Sequence, residues 1–342
     1  MKPTELLLSV IVPVYNREKT LSATVESVLA CPDKRLELIL VNDGSKDNSL
    51  ALCRSFAEQD GRVRVIDKEN GGVSSARNAG IEEAKGKYLF FCDGDDLVVT
   101  ETLASALDLA ETHSEDLLVF DFQYHFLDSD NMQKSGFVLP PEQVLSKADL
   151  VLLLLEPLLT REATDLAGVW HKFFLSDRLQ TSGIRFEEKV AKGEDWRFIL
   201  DFLDAAETAF YFPKLLYTYN LDGSQTISKY KRVPGQHLLG SAERKLTLSE
   251  KYHLTLPEKD IARLYQGIVD DVFYSVLSFS DPSEAKKMLL LPLVQNATSF
   301  FKWLKKKQYH AFEISRKYQI YVRFIEWRAT LLIRLCARNM NL

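Results

Sequence analysis

Apolar runs and segments of helical periodicity alternate along the first 120 residues of the chain. The predicted strands are Leu7–Tyr15, Leu36–Val41, a short one at Val63 and Val65, and Tyr88–Cys92. Between them, apolar residues recur three or four positions apart, as on the predicted helix that carries Leu21, Val25, Val28 and Leu29. Strands that are apolar on both faces belong to a parallel sheet covered by helices. The pattern therefore predicts an α/β domain with a doubly wound sheet.

Beyond residue 123 the alternation loosens and helical periodicity becomes more frequent. Predicted here, in order, are helices at Glu142–Leu155 and Glu194–Ala206, an extended segment at Thr208–Asn220 and a helix at Ile261–Leu277. We therefore predict two domains. Residues 1–230 form the α/β domain, and residues 231–342 form a helical region that is basic at its end.

The chain has 342 residues, of which 46% are apolar and 27% are charged, as in a soluble globular protein of about two domains. Its net charge of −5 argues against a nucleic-acid partner, yet residues 300–342 carry +8 and residues 1–299 carry −13. Because the basic segment also contains Phe300, Trp303 and Trp327, it suits an interfacial helix on an anionic membrane surface. A solvated helical bundle or a contact within a homo-oligomer is the alternative.

Targeting signals and cysteine spacing indicate the compartment. No window approaches the roughly 20 apolar residues that span a bilayer, and the first apolar run breaks at Pro13 without a cleavage site, so no signal peptide is expected. The four cysteines, Cys31, Cys53, Cys92 and Cys336, lack the spacing of a metal site, which favours buried thiols in a reducing compartment. We expect a cytoplasmic protein, peripheral on the inner face of the cell membrane if its basic end binds lipid.

Polar residues follow three of the predicted strands where each strand ends. They are Asn16, the segment Asn42–Ser45 and the segment Asp93–Asp96. Ordinary turn chemistry explains one polar strand end, but ligands of doubly wound sheets bind beyond the carboxyl ends of the strands. Three such ends along one edge of the sheet therefore predict a ligand site there.

Asp93-Gly94-Asp95-Asp96 places three carboxylates within four residues. Their mutual repulsion is relieved by a hard cation such as Mg²⁺, which binds carboxylates together with substrate phosphates. The alternative is an acidic turn that caps the next helix. Asp43 has two interpretations of the same kind, either an Asx-turn or a hydrogen-bond acceptor for a nucleobase or ribose.

Asn70-Gly71-Gly72 precedes a predicted helix that carries Arg77 near its start. Backbone N–H groups at such a helix start suit an anion, and Arg77 adds positive charge. The segment lacks the glycine and lysine spacing of a P-loop, and no dinucleotide-binding fingerprint follows the first strand.

Four motifs in this order resemble the bacterial family 2 glycosyltransferases of the GT-A fold: Ser9–Asn16, Val41–Ser45, Glu69–Gly80 and Phe91–Asp96. The resemblance is strong over residues 5–125 and weaker to residue 230. It implies a mixed, mostly parallel sheet flanked by helices, a nucleotide-sugar donor that is usually a UDP-sugar, and Mg²⁺ or Mn²⁺ as cofactor. Processive members carry Gln-x-x-Arg-Trp and membrane helices, which are missing here, so the resemblance is to the non-processive members.

The resemblance also implies roles for individual residues, and two positions depart from the family pattern. Pro13 and Tyr15 would pack around the base, Asp43 would bond the uracil or ribose, Arg77 would lie near the nucleotide, Asp93 would contact the ribose, and Asp95 would hold the metal against the diphosphate. Gly94 replaces the usual Ser or Ala, and Asn42 stands where Asp is commoner, which leaves that contact to Asp43.

Asp195, with Glu194 as the second choice, is the expected catalytic base, because Gly193-Glu194-Asp195 resembles the family's Gly-Glu-Asp segment. The alternative is that both acids only complement the dipole of the helix they begin. Trp170-His171-Lys172 resembles a Trp-x-Lys segment of the family, which implies that His171 and Lys172 lie on the acceptor or phosphate side. His171 has a structural alternative, and Gly223–Ser228 is either a lid or a plain surface loop.

The resemblance therefore implies a glycosyltransferase that adds a single sugar to a hydroxyl of a glycan or lipid-linked acceptor in cell-surface polysaccharide synthesis. A base opposite the leaving group predicts inversion at the sugar carbon. Two alternatives are a nucleotidyltransferase of related fold, although its glycine-rich activating loop is missing, and a non-catalytic binding or scaffold protein.

Overall fold

The computed structural model describes residues 6–160, 164–188, 190, 193–222 and 237–256. The chain divides into two compact units, Met1–Tyr230 and Lys231–Leu342. The sequence predictions for Gly223–Ser228, Ile261–Leu277, Cys336 and residues 300–342 lie outside the described residues.

Ten strands are present in the described residues. In chain order they are Leu8–Val14 (β1), Leu36–Asp43 (β2), Val63–Lys68 (β3), Tyr88–Phe91 (β4), Leu97–Val98 (β5), Leu117–Phe126 (β6), Asn131–Lys134 (β7), Val144–Leu145 (β8), Lys172–Leu175 (β9) and Ala209–Leu221 (β10).

Helices occur in the described parts of both units. In chain order they are Leu21–Leu29 (α1), Ser49–Gln59 (α2), Val73–Glu83 (α3), Thr100–Thr112 (α4), Lys147–Leu150 (α5), Glu156–Thr160 (α6), Ser176–Ser182 (α7), Glu194–Ala205 (α8) and His237–Lys251 (α9). A π-helical turn, Val151–Leu155, joins α5 to α6, and a 3-10 turn lies at Thr164–Ala167.

The strands form one mixed sheet in the order β3-β2-β1-β4-β9-β6-β10-β5, with β7 beside β6 and β8 beside β10. Neighbours from β3 to β4 run parallel, as do β6 and β10, while β9 is antiparallel to both β4 and β6. Every residue of β2 and β4 is buried, as expected of strands covered on both faces. The predicted doubly wound sheet flanked by helices is therefore confirmed.

The helix that carries the predicted base is fixed to the sheet by aromatic packing. Phe198 on α8 stacks on Phe186 with ring centroids 3.9 Å apart, and it meets Phe91 of β4 edge-on at 5.7 Å. Phe202, one turn further along α8, packs against Phe174 of β9 at 4.9 Å. These buried rings hold the start of α8 beside the carboxyl end of β4.

The predicted helix at Glu142–Leu155 is partly wrong. Val144 and Leu145 form strand β8, and the helix begins only at Lys147, where Ser146 makes a capping box with Asp149. The helical segment also continues past the predicted end to Thr160. Pro157 has no N–H to donate to the preceding turn, and the π-helical turn directly before it accommodates that loss.

The cysteines in the described part of the chain, Cys31, Cys53 and Cys92, are buried free thiols, as predicted. In that same part, no helix is long and apolar enough to cross a membrane.

Candidate active site

A cavity of about 460 Å³ opens at the carboxyl ends of β1, β2 and β4. Its walls include every residue predicted for the donor and for catalysis: Pro13, Tyr15, Asp43, Arg77, Asp93, Asp95, Glu194 and Asp195. His171 and Lys172 do not line it, whereas their neighbour Trp170 does. The cavity wall also contains three residues that the sequence did not indicate: Arg17, Tyr219 and Asn220.

Asp43 holds the glycine turn that precedes α3. Each of its carboxylate oxygens accepts two hydrogen bonds, Oδ1 from Lys68 Nζ and Gly71 N at 2.7 and 2.9 Å, and Oδ2 from Gly72 N and Asn70 Nδ2 at 2.8 and 3.1 Å. The anion at these backbone N–H groups is therefore the protein's own carboxylate. Its contact with a nucleobase or ribose stays a prediction.

The acidic turn is held by the last residues of β10. The buried carboxylate of Asp96 accepts hydrogen bonds from Tyr217 Oη at 2.7 Å and from Asn220 N at 2.8 Å. Tyr217 Oη in turn accepts from Asp93 N, and Asn220 Nδ2 donates to the carbonyl of Asp95. Burial, together with the charges of Asp93 and Asp95, raises the pKa of Asp96 well above its ordinary value.

Arg77 is a largely buried residue of the cavity wall, and it joins acids from two sides of the cavity. Only 2% of its side chain is exposed; Nη2 lies 2.8 Å from Asp93 Oδ1 and Nη1 lies 2.5 Å from Asp195 Oδ1. Nη1 is also 3.9 Å from a carboxylate oxygen of Glu194, and the guanidinium lies over the ring of Phe186. Arg77 is predicted to lie near the nucleotide, and in the structure its guanidinium forms ion pairs with the acids that flank the cavity.

Asp195 occupies the first turn of α8, where its side chain keeps 23% of its surface exposed. Burial raises its pKa to about 7, an effect that the charge of Arg77 opposes and the charges of Glu194 and Asp93 reinforce. A carboxyl group that titrates near neutral pH can accept a proton from an acceptor hydroxyl and hold it. The geometry therefore suits a general base.

Asp95 is the predicted metal ligand, and the groups around its carboxylate decide how a cation could bind there. Its Oδ2 lies 3.1 Å from Arg17 Nη2, so a cationic group already stands against it on the cavity wall. Within the described residues, no group of three or more His, Cys, Asp or Glu side chains is arranged to hold a metal ion. A hard cation at Asp95 would therefore take most of its oxygen ligands from elsewhere, which fits a metal that binds together with a diphosphate.

His171 and Lys172 lie under the wall rather than on it. Both are buried, and Lys172 Nζ contacts the carbonyls of Leu166 and Gly168 at 2.9 and 2.7 Å and His171 Nε2 at 2.6 Å. Burial lowers the pKa of Lys172 and of His171 well below their ordinary values. Lys172 thus fixes the turn that leads to Trp170, and the role of this pair on the acceptor or phosphate side stays a prediction.

Trp170 is the aromatic residue of this segment that reaches the cavity. Its ring stacks on Tyr217 at 5.3 Å and lies 5.0 Å from the ring of Tyr219. The two tyrosines stand two positions apart on β10 and so share one face of the strand. That spacing, next to a predicted extended segment, was the signal in the sequence that could have identified this aromatic wall.

Comparisons with known proteins agree with the observed fold. Residues 9–177 match the family model Glycosyl transferase family 2. The chain is 28% identical over 337 residues to EpsJ of Bacillus subtilis, an uncharacterized glycosyltransferase, in an alignment that covers 96% of this chain and 95% of that protein. It is 39% identical over 112 residues to the minor teichoic acid biosynthesis protein GgaB of Bacillus subtilis, which is 32% of this chain and 12% of that protein.

A solved structure gives the fold independently of sequence identity. S. aureus TarS 1–349 in complex with UDP-GlcNAc is similar with a TM-score of 0.57 at 19% identity, over 96% of this chain and 89% of that chain. The mixed sheet, the cavity at its carboxyl edge and the match over residues 9–177 lead to one assignment. The chain therefore carries a family 2 glycosyltransferase domain over residues 9–177, and its first unit has the GT-A fold.

Proposed function

We propose that this glycosyltransferase moves a single sugar from a UDP-sugar to a hydroxyl of a glycan or lipid-linked acceptor in cell-surface polysaccharide synthesis, with inversion at the sugar carbon. The observation that carries the proposal is the pairing of Asp93 and Asp195 through one guanidinium, that of Arg77. It brings the carboxylate predicted for the ribose and the carboxylate predicted as base to one cavity. The names of GgaB and of the TarS complex support the polysaccharide class and the UDP-sugar.

Residues after β1 and β4 give the cavity a wall that is chemically complementary to the nucleoside of the donor. Tyr15 is 44% exposed, which leaves its ring available to stack on a base. Asp93 keeps 26% of its side chain exposed beside Arg77, so one of its oxygens can accept a hydrogen bond from a ribose hydroxyl. Pro13 also lines the cavity.

Asp195 acts as the base that removes the proton from the acceptor hydroxyl as that oxygen attacks the sugar. Arg77 holds the carboxylate in place and keeps its charged form accessible near neutral pH. Glu194 stands next to it on the cavity wall and raises the local negative charge. Attack from the side opposite the departing diphosphate gives inversion in one displacement.

Asp95 is the residue that would hold Mg²⁺ or Mn²⁺. Such a cation neutralises the charge that develops on the diphosphate as the sugar leaves. The chain's own contribution is to keep the Asp95 carboxylate at the cavity wall, through the hydrogen bond that Asn220 Nδ2 donates to its carbonyl. Tyr217 and Asp96 hold the rest of the turn.

The test measures UDP release from a panel of UDP-sugars with Mn²⁺, with and without acceptor glycans. Asp195→Asn removes the base but preserves the size of the side chain, so we expect transfer to fall by about 10³-fold while UDP affinity changes less than about threefold. Asp201→Asn, on the same helix and off the cavity wall, is the matched control and should keep full activity. Equal rates for the two variants would disprove the role of Asp195, and no UDP release from any donor would disprove the proposed donor class.

A further inference from the structure

Arg17 follows the polar end of β1 and extends its side chain along the acidic turn. Its backbone is fixed, because Arg17 N donates to Ser49 Oγ at 2.7 Å and its carbonyl accepts from Thr20 N and Leu21 N. The guanidinium is less constrained, since 37% of the side chain is exposed and it forms an ion pair with Asp95 at the cavity wall. The residue therefore presents a cationic group to the cavity from a rigid base.

Gly94 makes room for this side chain. A Cβ atom built on Gly94 would lie 3.3 Å from Arg17 Cγ and 3.3 Å from the Pro13 carbonyl oxygen, which is tighter than ordinary packing. A Ser or Ala side chain at this position would press on the stem of Arg17. Glycine in the acidic turn and arginine after β1 thus fit each other sterically.

The charges on the cavity wall make Arg17 the accessible cation. The wall carries the acids Asp43, Asp93, Asp95, Asp96, Glu194 and Asp195, and among its described residues the cationic side chains are Arg17 and Arg77. Arg77 is 2% exposed and engaged with Asp93 and Asp195. A doubly charged diphosphate that enters this acidic cavity meets one exposed guanidinium, and guanidinium groups bind phosphate oxygens in a bidentate way.

We propose that Arg17 is a binding residue for the diphosphate of the donor, and that before the donor arrives it serves as the counter-ion of Asp95. This inference rests on the proposed function. The guanidinium, 3.1 Å from Asp95 Oδ2, repels a cation that binds this carboxylate and neutralises part of the charge that would attract it. When the diphosphate takes the guanidinium, this repulsion is removed and the affinity of Asp95 for the cation rises.

It follows that nucleotide and metal bind with positive coupling. The diphosphate draws the Arg17 guanidinium away from Asp95, which removes a positive charge that repels the cation. The cation in turn neutralises Asp95, which releases the guanidinium of Arg17 for the diphosphate. By linkage, UDP raises the affinity for the metal by the same factor by which the metal raises the affinity for UDP. Without a nucleotide, Arg17 lowers the affinity of Asp95 for the cation.

The experiment is titration calorimetry of the full chain with Mn²⁺ alone, with UDP or GDP in the presence of a chelator, and with both ligands together. Arg17→Met removes the charge and keeps the stem over Gly94, and Arg17→Lys keeps a charge without the bidentate donor pair. Arg54→Met is the matched control, because Arg54 also pairs with an aspartate, Asp67 at 3.2 Å, but lies outside the cavity wall. Melting temperatures check that all variants fold.

For Arg17→Met we expect the affinity for Mn²⁺ alone to rise about tenfold and the affinity for UDP without metal to fall about tenfold. Arg17→Lys should lie between this variant and the unchanged chain, and Arg54→Met should match the unchanged chain. If Arg17→Met binds Mn²⁺ and UDP as the unchanged chain does, the inference is wrong and the proposed function stands. If the unchanged chain binds neither UDP nor GDP, the proposed donor class is wrong and the inference fails with it.

Discussion

Among single residues, Arg77 has the most acidic contacts in the cavity wall, and its guanidinium is shared between Asp93 and Asp195. A buried arginine with such partners keeps its charge, and burial with three nearby acids is tolerable only because that charge offsets theirs. The cationic side chain lowers the pKa of Asp195, while burial raises it. The balance leaves this carboxyl group about half ionised near pH 7.

The pH dependence of transfer should therefore report Asp195. A base is active when it is deprotonated, so kcat/KM should rise with pH, reach half its maximum near the pKa of about 7, and level off above it. Arg77→Lys leaves one compact charge that cannot span both acids, so the pKa of Asp195 should rise and the midpoint should move to higher pH by about one unit.

The control for this shift is Arg178→Lys. Arg178 makes a similar two-nitrogen contact with the buried carboxylate of Asp116, at 2.8 and 3.2 Å, but lies away from the cavity. Its replacement should cost stability and leave the midpoint of the pH profile unchanged. A midpoint that stays in place in Arg77→Lys, or moves to lower pH, would contradict the electrostatic role given to Arg77.

At the scale of elements, β10 has the largest influence on the acidic turn. Its last residues supply Tyr217 Oη and the backbone and side chain of Asn220, which hold Asp96, Asp93 and Asp95 in a fixed arrangement. Strand β10 is parallel to β6 on one side and pairs with β5 on the other. Strand β5 directly follows the acidic turn in the sequence. The geometry of the proposed metal and donor site thus depends on a strand more than 100 residues away in sequence.

Tyr217→Phe tests this dependence. The change removes the Tyr217 hydroxyl, which donates to the buried carboxylate of Asp96 and accepts from the N–H of Asp93. The free energy of unfolding should therefore fall by about 1–3 kcal/mol. Because the turn then shifts, the affinity for UDP with Mn²⁺ should fall by at least about fivefold. Chemical denaturation and calorimetry measure the two quantities.

Tyr211→Phe is the control from the same strand. Tyr211 Oη donates to Asp121 at 2.5 Å, and neither residue lines the cavity. This variant should lose about 1 kcal/mol of stability and keep its UDP affinity. If both variants lower UDP affinity equally, the effect of Tyr217 is one of general stability, and the positioning role of β10 is wrong.

Elements with an uninterrupted apolar pattern could be predicted from the sequence, and an element that begins with a buried charge could not. The runs at β1, β2 and β4 are apolar on both faces and bounded by polar turns, so their type and direction follow from the pattern. β9 has four residues and begins with the charged Lys172, whose burial depends on backbone carbonyls of Leu166 and Gly168. No local pattern announces a lysine that is satisfied by tertiary contacts.

Some residues of the candidate site could likewise be named from the sequence, and others could not. Residues that lie within motifs or directly after predicted strands, such as Asp95 and Asp195, could be named from the sequence and line the cavity. Arg17 also follows a strand, but its significance depends on the distance to Asp95, which the sequence does not contain. His171 and Lys172 were named through a motif and lie under the wall, because the pattern marks a segment and does not say which of its side chains faces the cavity.

For the whole molecule, the separation of charge along the sequence is the feature that distinguishes the two ends. Residues 1–299 carry −13 and include the six acids of the cavity wall, whereas residues 300–342 carry +8. We propose that this basic segment binds an anionic membrane surface and keeps the enzyme at the inner face of the cell membrane, beside a lipid-linked acceptor. Aromatic residues such as Trp303 and Trp327 would lie at the headgroup level.

Vesicle flotation tests the membrane proposal, with phosphatidylglycerol vesicles compared with phosphatidylcholine vesicles. The full chain should float with the anionic vesicles and should be released at about 0.5 M salt, because salt screens the attraction between the basic segment and the surface. A chain that ends at residue 299 should remain at the bottom of the gradient and still bind UDP, since every described wall of the cavity lies within residues 13–220. Equal flotation of the two chains would exclude the basic segment as the membrane contact. A change from dimer to monomer on truncation, measured by light scattering, would instead identify residues 300–342 as the contact between copies.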